Sequence, residues 1–313
     1  MRKIFGLCAA LLMLCATLFP AKTFAADDPN SEGIKAYREA LSSYSADAEK
    51  FFRQDIMFAS PYVQAELDLL GSVDGKVFKS TGDLTFWFEN NDGTSTEKSI
   101  PFYMIQNGKD MTIYFKTEKQ WEKFTAPSLA ADVMDMLASP TPAEVEEMIA
   151  DTKDVTILQE NDNRRIMLIT LDGNRMADSL KTKADANPDA TADATQAKTV
   201  DYFDTALRNA NVWYMWTIDK RDWHTVALQY HLSGIIQELA RAALNDPNQQ
   251  WPDEVSQLLE TVAYYSEIRA YTTYPSDPNV KKRFEIPKNV LKAKEIKSLT
   301  EAATTTATKT KAK

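Results

Sequence analysis

The chain has 313 residues, and its 45 acidic side chains outnumber the 36 basic ones, which gives a formal net charge of −9 at pH 7. An acidic protein repels nucleic acid and anionic membrane surfaces, so the composition excludes both as electrostatic partners. Hydrophobic residues make up 44% of the chain, and its length suffices for one large domain or two small ones. We therefore expect a folded protein that is stabilised by a core of its own.

The first 25 residues have the features of a secretory signal peptide. Arg2 and Lys3 precede an apolar run over residues 4–19, and Thr23-Phe24-Ala25 gives the small-residue pattern of a cleavage site. The run is too short and wrongly flanked for a stable transmembrane span, and no later segment approaches that length. We therefore predict cleavage after Ala25 and an extracytoplasmic location, periplasmic or secreted, with no integral membrane span.

Both cysteines of the chain, Cys8 and Cys15, lie inside this segment. Leu7 and Leu14 precede them, where a lipid-attachment motif would have Gly or Ala, so we expect free release and no lipid anchor. The mature chain then has no disulfide, no thiolate metal site and no thiol nucleophile.

A helix is predicted from about Gly33 to Phe52. Its apolar residues recur at steps of three and four, which places them on one face that must pack against another element. These residues are Ile34, Tyr37, Leu41, Tyr44, Ala48 and Phe51.

Five strands are predicted next, because apolar and polar residues alternate and turn-forming residues separate the segments. Asn90-Asn91-Asp92-Gly93 is one turn, and Asn107-Gly108 is a strong hairpin signal. The strands cover about Val63–Leu69, Leu84–Phe88, Glu97–Gln106, Met111–Lys116 and Gln120–Thr125.

Two short helices are predicted to interrupt the strands, from about Ser128 to Ala138 and from Pro142 to Ala150. The second has favourable capping chemistry, because Thr141 is an N-cap residue and Glu144 is its capping-box partner. A hairpin over about Val155–Leu171 follows.

Residues 181–200 are rich in Ala, Asp, Thr and Lys and lack periodicity, which predicts a flexible insert. The pattern then resumes with a short helix, a hairpin, a helix pair and a final strand. Their predicted ranges are Tyr202–Asn209, Val212–Ile218 with Trp223–Leu232, Ile235–Leu244 with Pro252–Val262, and Tyr264–Tyr274. Residues 299–313 are predicted to be a disordered tail.

The element order predicts an α+β fold, with a single domain over residues 26–298. Consecutive strands that are joined by tight turns favour an antiparallel sheet. About ten such strands are expected to curl, so we predict a long curved half-barrel. The N-terminal helix and the short helices are expected to pack on its concave face or to cap it.

The sequence shows no constellation that predicts catalysis. It has no nucleophile elbow, Walker loop, dinucleotide fingerprint or zinc-protease motif. The two histidines, His224 and His231, would face opposite sides of a strand or lie about 10 Å apart along a helix. We therefore predict a non-enzyme without a metal or a cofactor, in which both histidines have structural or surface roles.

Large apolar groups occupy both faces of several predicted strands, as where Trp87 opposes Phe86 and Phe88. Two interpretations fit this pattern. In one, helices cover one face of the sheet to form a core, and the far face is partly covered. In the other, a concave sheet lined with apolar groups and lidded by helices holds an acyl chain or another hydrophobic ligand.

Several segments resemble the LolA/LppX-type lipoprotein-carrier superfamily, in particular its exported relatives of unknown function. The resembling segments are Asn107–Phe115, Trp121-Glu122-Lys123-Phe124, Val212–Asp219, Tyr274, Phe284-Glu285-Ile286-Pro287 and Val290. The resemblance covers nearly all of the mature chain in element order, and it departs at the insert and at the missing lipid-attachment motif. It implies a curved antiparallel sheet that cups an apolar ligand, with short helices at its mouth.

We therefore predict an extracytoplasmic protein that binds a hydrophobic small molecule, a lipid or an acylated molecule, between the sheet and a helical lid. The predicted sheet residues are Phe86, Phe88, Met104, Ile113, Phe115, Tyr214 and Trp216, and the predicted lid residues are Met134, Leu137, Met148 and Ile149. A register shift of one residue would move every sheet assignment to the other face. The alternative is a structural or protein-interaction module of the cell envelope, which binds a protein partner through a sheet edge or an exposed aromatic face.

Overall fold

The computed structural model describes residues 31–44, 51–61, 63–74, 77–89, 93–107, 110–117, 120–127, 140–150, 152–186, 194–274 and 284–296. Within these residues the chain forms seven helices and twelve strands. The helices are α1 (Glu32–Ser43), α2 (Pro142–Ala150), α3 (Gly173–Ala186), α4 (Ala194–Asn209), α5 (Ser233–Leu244), α6 (Asp253–Tyr265) and α7 (Lys288–Leu291). The strands are β1 (Phe51–Ala59), β2 (Val63–Asp74), β3 (Val77–Glu89), β4 (Ser95–Asn107), β5 (Asp110–Lys116), β6 (Trp121–Pro127), β7 (Thr152–Glu160), β8 (Arg164–Leu171), β9 (Trp213–Asp219), β10 (Thr225–His231), β11 (Glu267–Thr273) and β12 (Lys294–Glu295).

All twelve strands form one sheet in the order β12-β6-β5-β4-β3-β2-β1-β11-β10-β9-β8-β7. Neighbouring strands are antiparallel except for β12, a strand of 2 residues that runs parallel to β6. The sheet is curved and does not close, so β12 and β7 are its edges. The predicted α+β class and the predicted long, curved antiparallel sheet are confirmed.

Strand β1 contradicts the prediction of a helix as far as Phe52. Helix α1 ends at Ser43, and Phe51 already lies in β1, which pairs with β2 on one side and β11 on the other. The spacing of Ala48 and Phe51 continues the helical stripe, but β1 pairs with the next strand, β2, and with β11, which is distant in the chain. Local spacing does not reveal the pairing with β11. With β1 and β12, the sheet has twelve strands instead of about ten.

Helix α2 covers the predicted range, Pro142–Ala150. The predicted capping box is present, because the N–H of Thr141 donates to Glu144 Oε2 at 2.8 Å and the N–H of Glu144 donates to Thr141 Oγ1 at 3.3 Å. These bonds satisfy backbone donors at the helix start that have no partner within the helix. The prediction of this helix is confirmed.

Helices α3 and α4 extend into the segment that is predicted to be a flexible insert. Residues 181–186 end α3 and residues 194–200 begin α4, so the described parts of this segment are helical. The two helices contact each other, and Arg208 of α4 donates to Asp178 of α3 at 2.7 Å. The alanine content that suggests low complexity also suits a helix, since alanine has the highest helix propensity.

Three predicted features lie outside the described residues: the signal peptide at 1–25, the helix at 128–138 and the tail at 299–313. The predicted hairpins, the helix pair and the last strand are present with shifted ends, as β7 with β8, β9 with β10, α5 with α6, and β11.

Two hydrophobic cores lie on one face of the sheet, which we call the inner face. In the first core, α1 packs on β8 and β9, where Tyr37 contacts the hydroxyl of Tyr214 and the ring of Trp216. In the second core, α5 and α6 pack on β1, β2, β3 and β11, with Ile236 and Ile56 among the fully buried residues. Alternate residues of each strand point to this face, so these strands supply the two cores through every second residue.

Candidate functional site

Six of the seven predicted sheet residues share the inner face. Phe86 belongs to the second core, and Phe115 packs against that core. Met104 lies two positions after the core residue Phe102, and it pairs with Ile113 on the next strand, so both point to the same side. Tyr214 and Trp216 point into the first core. Phe88 lies two positions after Phe86 in β3, and its side chain is outside the described part of the chain.

Tyr214 and Trp216 hold helix α1 on the sheet. The hydroxyl of Tyr214 lies 2.7 Å from that of Tyr37, and the Trp216 ring meets the Tyr37 ring edge-on at a centroid distance of 5.9 Å. The indole N–H of Trp216 donates to Thr225 Oγ1 at 3.0 Å. Their contact with a ligand stays a prediction, and these bonds give them a structural role.

Two of the predicted lid residues also pack in the first core. Ile149 of α2 is buried there, and Met148 is partly buried against it. Met134 and Leu137 lie outside the described residues. Helix α2 therefore helps to cover α1 and the strands beneath it, and whether it also closes over a ligand stays a prediction.

The inner face continues beyond the second core over a group of buried and half-buried residues that we call the distal patch. Its residues are Phe78, Ser80, Met104, Gln106, Met111, Ile113, Glu122 and Phe124, on strands β3 to β6. None of its apolar members belongs to either core. Phe78 and Ile113 are buried, whereas Met104, Met111 and Phe124 are half-buried. The distal patch therefore brings together two of the predicted sheet residues, Met104 and Ile113, and it borders on Phe115.

Two polar atoms of the distal patch are buried without a hydrogen-bond partner, Ser80 Oγ and Glu122 Oε2. Glu122 Oε1 accepts a hydrogen bond from Gln120 Nε2 at 3.2 Å. Buried polar atoms in folded proteins are nearly always paired, so an atom without a partner in the protein indicates local strain, a functional role, or a bound water or ion. The sequence pattern shows only that Ser80 and Glu122 occupy inner-face positions, and it carries no signal that they lack partners.

The opposite face of the sheet, the outer face, carries a groove of about 380 Å³ across β1 to β6. The rings of Tyr103 and Trp121 lie 5.6 Å apart on one side of it. Asp68 faces Asp55 and Asp83 on its neighbouring strands, so three carboxylates form a row.

Among the described residues that line the outer groove, Arg53 is the one with a positive charge, and it donates to both oxygens of Asp68, at 3.2 and 3.0 Å. Burial raises the pKa of Asp55 above its ordinary value, although the Arg53 charge opposes that shift. The row of three carboxylates therefore contains one guanidinium, that of Arg53, and the net charge of these four groups is negative. No residue of this groove is among the predicted site residues.

A second pocket, of about 490 Å³, lies between α4 and α5. Asp246 accepts hydrogen bonds there from Tyr202 at 2.7 Å and Lys198 at 3.0 Å. The bond from Tyr202 lowers the pKa of Asp246 to about 2, and burial together with Asp246 raises the pKa of Tyr202 to about 12. A tyrosine with a raised pKa is a poor base at neutral pH, so this cluster suits a link between elements better than proton transfer.

The β9–β10 turn collects Asp219, Asp222 and His224, whose potential ligand atoms all lie within 4.8 Å of one another. Arg221 already forms an ion pair with Asp219, and its hydrogen bond is the main cause of the lowered pKa of that carboxyl. His224 contacts Asp222 within the same turn. These contacts lock the turn, and nothing among them requires a metal ion. His231 lies elsewhere and stacks on Trp213 at 4.9 Å.

No protein-family model matches the sequence, and no curated protein matches it. The resemblance to the lipoprotein-carrier superfamily therefore depends on the residues quoted for it and on the element order. Among the described residues, no helix combines the length and the apolar character that a membrane crossing requires.

Proposed function

We propose that the protein is a non-enzymatic, extracytoplasmic binding protein that holds a hydrophobic ligand, a lipid or an acylated molecule, on the distal patch. The observation that carries the proposal is an apolar stretch of the inner face that neither core uses. Met104, Met111 and Phe124 are half-buried there, beside the buried Ile113. The signal-peptide pattern of the first 25 residues supports the location.

The chemistry of the distal patch suits an alkyl chain. Burying apolar area yields roughly 25 cal/mol per Å², and a chain laid across three strands would cover several side chains at once. Methionine adapts its shape to irregular partners, and Met104 and Met111 lie on neighbouring strands. Phe86, Tyr214 and Trp216 are already packed under helices, so we place the ligand on the distal patch and not along the whole inner face.

A matched pair of variants tests the ligand site. Met104 and Ile105 are adjacent half-buried residues that point to opposite faces of β4. We expect Met104→Asp to weaken the binding of a fluorescent fatty-acid analogue by at least about tenfold, and Ile105→Asp to leave it within about twofold. Thermal melts followed by circular dichroism show whether a variant loses binding because it unfolds. Equal effects of the two variants, or no binding by the natural sequence, would contradict the proposal.

The outer groove supports the second candidate, an interaction module for an envelope protein. Its row of carboxylates and its two aromatic rings fit an extended segment that carries lysine side chains, since ammonium groups pair with carboxylates and lie favourably over aromatic faces. Titration of an alternating lysine–alanine peptide tests it. Trp121→Ala should weaken binding severalfold if this candidate is correct, and an unchanged affinity would contradict it.

A further inference from the structure

Glu122 lies at the edge of the distal patch, on the inner face of β6. It is opposite Phe115 of β5 and two positions before Phe124, so its neighbours on these two sides are aromatic, whereas Lys294 of β12 is its register partner on the other side. The residue is only 6% exposed. Aromatic neighbours cannot replace the hydration that a carboxylate loses on burial.

The Glu122 carboxylate is incompletely paired. Gln120 donates to Oε1, whereas Oε2 is buried without a partner. In the part of the chain that the structure describes, no cation forms an ion pair with it. Lys123 points to the other face and pairs with Glu295 at 3.5 Å, and Lys294, across from Glu122 in β12, is exposed. Glu122 Oε2 is therefore a carboxylate oxygen that can accept a hydrogen bond from a bound molecule.

The head group that completes this site is one with a positive charge and N–H donors. An ammonium group supplies up to three donors, and a charge-assisted bond is about twice as strong as a neutral one. A carboxylate or phosphate head group would instead bring like charges together at Glu122. A neutral alcohol would supply one weaker donor.

Ser80 marks the other side of the distal patch. Ser80 is 2% exposed, and its Oγ has no hydrogen-bond partner in the part of the chain that the structure describes. Strands β3 and β6 are three strand spacings apart, about 14 Å, and Met104 and Ile113 lie on the strands between them. An apolar stretch that ends at an incompletely paired carboxylate is the complement of a single-headed amphiphile, and Ser80 lies beyond the far side of that stretch.

We propose that the distal patch takes a cationic amphiphile, an alkyl chain with an amine or ammonium head group, and that Glu122 Oε2 accepts a hydrogen bond from that head group. This inference rests on the proposed function, because it names the ligand class of the same patch.

The test compares three probes with the same twelve-carbon chain: dodecylammonium, dodecanol and dodecanoate. Each is titrated calorimetrically at pH 7, below micelle-forming concentrations, into the natural protein, Glu122→Gln and Glu66→Gln. Glu66 is the matched control, because it is a half-buried carboxylate on the outer face of β2. We expect dodecylammonium to bind at least about tenfold tighter than the other probes in the natural protein and in E66Q, and to lose this preference in E122Q.

The outcomes separate the two proposals. Equal binding of the three probes, or a preference for dodecylammonium that survives in E122Q, would overturn the role of Glu122 and leave the proposed function standing. Binding of none of the probes would overturn both. The melting temperature of the ligand-free protein is a second readout. E122Q removes an unpaired buried charge at constant size, so we expect a rise of about 2–4 °C, and a fall would contradict the inference.

Discussion

The hydroxyl groups of Tyr37 in α1 and Tyr214 in β9 lie 2.7 Å apart inside the first core, although the two residues are 177 positions apart in the chain. Burial raises the pKa of Tyr214 well above its ordinary value, and the neighbouring Tyr37 adds to the shift. Tyr214 therefore remains protonated at neutral pH, and one of the two hydroxyls donates to the other. The bond fixes the N-terminal helix against the far half of the sheet.

We expect Tyr37→Phe and Tyr214→Phe to destabilise the protein by about 1–2 kcal/mol each, because each leaves the other hydroxyl without this partner. The double variant should lose less than the sum, with a coupling energy of about 1 kcal/mol. Urea denaturation of the four proteins measures this cycle. Strictly additive losses would show that the two hydroxyls do not stabilise each other.

Arg165 makes a second link between the sheet and α1. Its side chain is 8% exposed, and it donates to the carbonyl of Ala36 at 3.0 Å and to Glu39 and Glu160 at 2.8 Å each. Truncation to alanine removes these bonds and the packing of the aliphatic stem, so we expect Arg165→Ala to lose about 3 kcal/mol of unfolding free energy.

Two further variants control the Arg165 prediction in the same urea-denaturation assay. The exposed neighbour Arg164 should tolerate alanine within about 0.5 kcal/mol. Arg165→Met should lose less than Arg165→Ala, since methionine retains packing without burying a charge. Equal losses for R164A and R165A would contradict a specific role for Arg165.

Glu160 makes the stability of this region depend on pH. The hydrogen bond from Arg165, followed by that from Lys220, lowers its pKa from 4.5 to about 2. A carboxyl with a lowered folded-state pKa stabilises the fold fully above its unfolded pKa, and the stabilisation is lost as the pH falls from about 4.5 towards 2. We expect melting temperatures measured over this range to fall less steeply in Glu160→Gln. An identical pH profile for the two proteins would contradict the assignment.

Gly82 allows β2 and β3 to approach closely. A Cβ at this position would lie 2.0 Å from the backbone carbonyl oxygen of Asp68, so an alanine would force the strands apart. We expect Gly82→Ala to destabilise the protein by about 2–3 kcal/mol in urea denaturation. Gly234 is the control, because the nearest atom to its added Cβ lies 3.4 Å away. If G234A loses as much unfolding free energy as G82A, the close approach of the strands at Gly82 is not the cause of the loss.

The local sequence suffices to predict some helices and strands and does not suffice to predict others. The capping residues of α2 act over three positions, so Thr141 and Glu144 predict its start correctly. The backbone of β1 is satisfied by β11, more than 200 positions away in the chain, and no local period carries that information. The composition of the alanine-rich ends of α3 and α4 fits either a helix or a flexible segment. The two helices contact each other, and such packing stabilises a helix that its own sequence specifies weakly.

Some features of the candidate site can likewise be predicted from the sequence, and others cannot. Alternation within one strand predicts that Tyr214 and Trp216 share a face. The pairing register shows that Met104 and Ile113 point to the same side of the sheet as these two residues. Alternation does not show which stretch of that face is covered by helices, so the packing of Tyr214 under α1 could not be predicted. The unpaired Glu122 Oε2 depends on the positions of groups from several strands, and the sequence alone carries no signal of it.

Native mass spectrometry of the gently purified protein tests the central claim most directly. The proposed function predicts a bound hydrophobic molecule in the natural protein and in Ile105→Asp, and its loss in Met104→Asp. Organic extraction of the same samples then identifies the molecule. A ligand-free natural protein that also fails to bind added alkyl probes, or a bound molecule that Met104→Asp retains in full, would contradict a hydrophobic ligand on the distal patch.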